Sequence, residues 1–398
     1  MKKRSYPHPY EPTRRHALLA LLGTALLPAC GGGTDVAGVS SGGTGSFTSG
    51  TITGLGSVIV NGIRYDDSAA TVSVDGSAST AAALQLGMVV RIRGSGVKPA
   101  SVAGGLATAT ASSIACGSEW KGRIDAVDTT AGTFTLLGQT VRVLATTVFA
   151  NGNIDRLLAG QYAEVYGFLN PADNSLQASR VEVDSAAPDR YRLSGVVANL
   201  NSTTFELGTA LINHATAEKP VNLSEGQLVR VELQTTPADG VWLATEVKVE
   251  DYSDDLDDED EAEIEGAITT FTPNSPLFSV NGIPVDASRV SDLPSLSLGT
   301  RVEVKGSILN GTVLATEVEV EDDKDIAAQA FEFHGTVSAI DTTARTFVVR
   351  GYTLHYDGTT AFDLHGAIWD ASLSTPIEAK ARLKPNGELL ATEVDIDH

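Results

Sequence analysis

Two cysteines in 398 residues exclude a disulfide-built scaffold. Aromatic residues make up only 6%, and Trp120, Trp242 and Trp369 are the only tryptophans, so a continuous base- or sugar-stacking face has little to draw on. Basic residues are outnumbered, 28 Lys and Arg against 50 Asp and Glu, for a net charge of −22. That balance excludes nucleic acid as a partner, since phosphate neutralisation needs clustered cations. It also excludes adsorption to anionic headgroups through a basic face. Catalytic signatures are missing as well: there is no G-x-S-x-G elbow, no Walker loop, no H-E-x-x-H and no dinucleotide-binding glycine pattern after a strand. Neither an enzymatic activity nor a cofactor is therefore expected. The charged fraction of 20% and the 42% hydrophobic content fit a folded chain of roughly two to four ordinary domains.

What is present begins with an address. Lys2, Lys3, Arg4, Arg14 and Arg15 precede an eleven-residue apolar stretch, residues 17–27. Such a stretch is too short for a bilayer span of about 20 residues and has the form of a secretory signal. Leu27-Pro28-Ala29-Cys30 follows and resembles the lipobox of bacterial lipoproteins, with Pro28 departing from the usual residue at −2. The resemblance implies cleavage after residue 29 and diacylation of Cys30. Two buried acyl chains, at about 0.8 kcal/mol per CH₂, suffice for stable anchoring. Gly31 in place of Asp at +2 implies the outer membrane, on its periplasmic face or at the cell surface. Arg14 and Arg15, within Thr13-Arg14-Arg15-His16-Ala17-Leu18-Leu19, are similar to a twin-arginine export motif, with ordinary signal-peptide charge as the alternative. Residues 30–47, rich in Gly and Ser, read as a tether.

The rest of the chain repeats. Gly50, Gly122, Gly195, Gly266 and Gly335 open successive units at spacings of 72, 73, 71 and 69. Val-Asn-Gly at 60–62 and 280–282 lies between apolar alternating runs and marks hairpins. Asp239-Gly240, Asn310-Gly311 and Asn386-Gly387 mark a second hairpin before each closing strand. At +3 and +5 from a third Gly (Pro376 in the last unit) stand Val90/Ile92, Ala163/Val165, Val229/Val231, Val302/Val304 and Ala379/Ala381. Between them, at +4, stand Arg91, Glu164, Arg230, Glu303 and Lys380. A period of two predicts a sheet with one face buried and one wet. Along 314–321 the same reasoning places Leu314, Thr316, Val318 and Val320 on one face.

Three meandering strands, a connection, then a hairpin is the strand order of an OB-type barrel. The expected fold is all-β: five tandem small OB-like β-barrels of about 65–70 residues, with small β-sandwiches as the runner-up. The boundaries are a signal peptide at 1–29, the tether at 30–47, and barrels at 48–116, 120–184, 191–250, 262–322 and 331–398, with an acidic linker at 251–261. Units this small bury little surface alone, so neighbours are expected to pack together. The stretches 50–65 and 86–94 resemble the bacterial domain-of-unknown-function 5666 family. That resemblance implies an association with secreted and lipid-anchored proteins and no established activity. Leu233 and Leu383 depart from it where other units have Gly94, Gly167 and Gly306, so those two strands are expected to run without a bend.

Few residues are left for chemistry. Cys116 reads as a small half-buried strand residue. His334, His355 and His365 share the fifth unit, where they either converge on a metal or sit at its rim. Residues 250–265 hold eleven acids and no base, including Asp254, Asp255, Asp257 and Asp258. They read as a solvated linker, with Ca²⁺ binding the alternative, although the D-x-D-x-D-G spacing is missing. Two functional classes follow: a lipid-anchored, non-enzymatic envelope protein that binds an unknown envelope ligand or protein, or a passive envelope spacer.

Overall fold

Alternation with a period of two, broken by turn residues every few positions, leaves strands as the only regular option. The computed structural model describes residues 45–101, 105–252, 256–321, 330–370 and 372–396. Cys30, Arg14, Arg15, Asp254 and Asp255 lie outside them. Apart from two single-turn 3₁₀ helices, Ala81–Ala83 and Ile154–Arg156, the regular elements are strands. Among the described residues no helix is long and apolar enough to cross a membrane.

Each unit closes a five-strand barrel in the order 1-2-3-5-4. In the fourth unit, Glu259–Phe271 pairs antiparallel with Leu277–Val280 and with Arg301–Leu309. Ile283–Asp286 pairs parallel with Thr312–Val320, and the last two strands close the ring. The same ladder recurs in the first, second and fifth units. In the third, the bridge Ala198↔Glu206 stands for the 1–2 pairing. Closure removes open edges, which a sandwich would leave, so the barrel reading holds over the sandwich. All ten +3 and +5 residues are buried, none more than 3% exposed. The hairpin signal is borne out at Asn61-Gly62 and Asn281-Gly282, whose positive φ angles of 50°/73° and 48°/79° fit a type I′ turn.

Four expectations need correction. The register shifts between Glu232 and Leu233 and between Lys380 and Ala381, as it does at Gly94, Gly167 and Gly306. The bulge therefore belongs to the barrel, not to the glycine, because it bends the strand to close the ring. The same bulge inserts Thr316, so the buried face along the closing strand of unit four is Val313, Ala315 and Val318, while Val320 is 41% exposed. The linker at 251–261 and the tether at 30–47 both overlap strands. Glu259–Phe271 and Gly45–Leu55 pair parallel with each other from Ser46↔Glu261 to Ser49↔Ile264. Finally, the +4 face is not simply wet, because barrels pack on it.

That packing joins units far apart in sequence. Gly54 and Leu55 of the first barrel pair parallel with Glu332 and Phe333 of the fifth. Gly56 (φ +114°) allows the close approach: a Cβ there would lie 2.0 Å from the His334 carbonyl oxygen. The Leu86 amide donates to Tyr352 Oη (3.1 Å). Ser179 Oγ and Arg180 Nη1 of the second barrel donate to the carbonyls of Gly87 (2.6 Å) and Leu86 (3.0 Å). One apolar core runs through barrels one and five, another through barrels two and three, and a third fills barrel four and takes in Phe47 of the first.

Candidate functional site

The charged +4 residues are the ones that alternation could not place. Arg230 sits between two carboxylates, Nη2 lying 2.7 Å from Glu250 and 3.5 Å from Glu119, with all three side chains less than a fifth exposed. Arg192 bridges Asp75 of the first barrel, Glu232 (2.7 Å) and Ser118 Oγ (2.8 Å). Arg301 pairs with Glu265 and Glu321 (2.9 Å), and its guanidinium lies 4.6 Å from the centre of the Phe168 ring. Glu265 also accepts the Thr51 amide of the first barrel (3.1 Å). Arg91 stacks on Tyr252 at 4.1 Å. Arg192 reaches Asp75 of the first barrel, Arg301 packs on Phe168 of the second and Glu265 holds Thr51 of the first, so this polar network is a joint between barrels.

A different geometry lies between the second and third barrels. There the start of strand Tyr162–Asn170, the end of strand Ser175–Asp184 and the connection at 186–190 border a cavity of about 670 Å³. This volume lies in the range typical of ligand pockets. Its wall includes Lys121, Tyr162, Glu182, Asp184, Asp189 and Arg190. Five carboxylates face three cations around it. Lys121 is paired with Glu164 (2.9 Å) and Glu182 with Arg180 (2.6 Å), whereas Asp184 and Asp189 are exposed. Tyr162, the one aromatic residue of the groove wall, packs against Tyr191, which packs edge-on against Trp242. These groups offer charge pairing and hydrogen bonding, with Tyr162 available for stacking.

The residues singled out from sequence scatter. Cys116 is buried, and burial pushes its thiol up to about 12, so it is inert. The three histidines do not meet. His355 lies 3.8 Å from Glu388 and His365 3.6 Å from Asp363, both at partly exposed positions. His334 is buried and lies 2.6 Å from Glu332. They separate because the first strand, the third strand and the irregular connection face different sides of the barrel. Among the described residues, the group whose ligand atoms converge is instead Glu332, His334 and Glu378. Strand register carried the missed signal: residue 332 shares a face with 334, and 378 pairs with 334 across the ladder. In the acidic run, Asp257 pairs with Arg93 (3.3 Å) and Asp258 accepts the Asn310 amide (2.7 Å). Both residues dock onto barrels.

A protein family described as a domain of unknown function, DUF5666, matches five stretches: residues 49–97, 121–182, 183–248, 265–319 and 334–395. No curated protein matches the chain. Among solved structures, the Drosophila entity named "drosophila Unr CSD456" is similar at 13% identity, covering 54% of this chain and 98% of that one. Its TM-score is 0.14, too low to carry an argument.

Proposed function

The chain belongs to the DUF5666 family, and from that premise we propose that it is a non-enzymatic binding protein of the bacterial cell envelope, anchored by lipid on Cys30. The groove between the second and third barrels is the observation that carries this reading. Its size suits a ligand, and its carboxylates outnumber its cations. In a chain of net charge −22, that balance favours a polar ligand bearing positive charge. The export signal and the lipobox-like Cys30 support the envelope address. The pairing of the first barrel with the fifth weighs against a spacer extended end to end. For Ca²⁺, two of the named acids already serve protein groups.

One experiment on intact cells tests both halves. The wild-type chain should fractionate with membranes and Cys30→Ala should not. After crosslinking, wild type should capture a partner that Asp184→Asn/Asp189→Asn loses by about tenfold, the cost of one or two charge-assisted contacts. Equal capture by the groove variant would refute the groove, and membrane retention of Cys30→Ala would refute the anchor.

A further inference from the structure

We propose that Glu332, His334 and Glu378 form a binding site for a divalent metal ion of the zinc class at the seam between the first and fifth barrels. Their candidate ligand atoms all lie within 4.8 Å of one another. Atoms bound to one tetrahedral ion at about 2.1 Å lie about 3.4 Å apart, so only small side-chain movements separate this arrangement from a coordinating one.

The placement follows from the strands. Phe331 and Phe333 point into the fifth barrel, which turns Glu332 and His334 outward together. Glu378, outward between Ile377 and Ala379, faces His334 across the antiparallel ladder. The first barrel then covers the cluster: Gly54 pairs with Glu332, and the chain at Gly56 runs against the His334 backbone. Arg350 Nε holds the His334 carbonyl at 2.8 Å, and its Nη2 reaches the Gly56 carbonyl at 3.4 Å. The His334 backbone is thus fixed by both barrels.

One imidazole nitrogen and two carboxylates, with a fourth position for water, is a donor set that zinc accepts and that Ca²⁺ and Mg²⁺ do not favour. Glu378 comes with a counterweight. Lys380 Nζ lies 3.3 Å from Glu378 and 3.1 Å from Glu393. On metal binding Lys380 keeps Glu393 and gives up Glu378. A metal here would also replace the short His334–Glu332 hydrogen bond. Because the ligands sit where two barrels touch, the bound ion would resist their separation.

The test uses the full mature chain stripped with chelator, then titrated with Zn²⁺ by calorimetry and with Co²⁺ by visible absorption. The expected result is one ion per chain, an intense tetrahedral cobalt band and a raised Tm. Glu378→Gln, only partly buried, and Glu332→Gln should each weaken binding by about tenfold or more, with far-UV circular dichroism confirming that they fold. His334→Gln should abolish the cobalt band. Absence of uptake, or uptake with a weak octahedral spectrum that neither Gln variant changes, overturns the proposal.

Discussion

Arg230→Met is expected to destabilise the five-barrel body by about 3–5 kcal/mol. The substitution leaves Glu119 and Glu250 facing each other in a joint where Glu250 is 9% and Glu119 19% exposed. Two desolvated carboxylates without a cation cost far more than the lost ion pair itself contributed. The triple variant Arg230→Met/Glu119→Met/Glu250→Met should recover most of the loss, because an apolar cluster of similar volume needs no counterion. Chemical denaturation of the three proteins reads this directly. A loss under about 1 kcal/mol in the single variant would mean that water reaches the joint, as it does around surface ion pairs.

A second large effect is a fall in stability as pH rises. Burial pushes the Glu119 carboxyl up to about 7, with the Glu250 carboxylate adding to the rise and Arg230 opposing it. Burial and the neighbouring Glu265 likewise raise Glu321 to about 7. Burial and a hydrogen bond with Glu303 raise Glu263 to about 8. Each folded value lies above the unfolded value near 4.5, so the folded chain holds protons that the unfolded chain releases. The contribution is complete below about pH 4.5 and is lost as pH climbs through about 7 to 8, a few kcal/mol in total. Opposite terms act lower. Asp66, Asp286, Asp357 and Asp370 are held below the usual range by hydrogen bonds from Ser or Thr two residues on. Burial holds His214 down, which favours the fold above about pH 6.5. The sum places Tm at pH 5.5 roughly 5 °C or more above Tm at pH 8.5. Glu119→Gln with Glu263→Gln should flatten the slope. A Tm that is level or higher at pH 8.5 contradicts the buried-carboxyl account.

Much of each barrel was legible because it is local. The glycine spacing marks the five units, and the +3 and +5 positions name ten core residues without an error. What lay between barrels was not legible. Thr51 meets Glu265 across 214 positions, and no periodicity within a unit announces that contact. Alternation reports which face of a strand is apolar. It does not report whether the polar face meets water or another barrel, so Arg91 and Arg230 looked like solvated charges. The bulges at Leu233 and Ala381 were missed because a glycine was taken as their cause, when ring closure imposes them with or without one. The metal cluster was half legible: His334 stood out by type, but Glu332 and Glu378 join it only through ladder register.

The account stands on five barrels forming one body, and small-angle scattering of the delipidated mature chain tests that most directly. A compact body of some 350 residues has a radius of gyration of about 20–25 Å, whereas five barrels strung end to end would give about 35 Å. The parallel pairings of the first barrel with the fourth and fifth predict the smaller value. The larger one would mean that these seams do not hold in solution, and the groove and the metal site would have to be judged on isolated barrels.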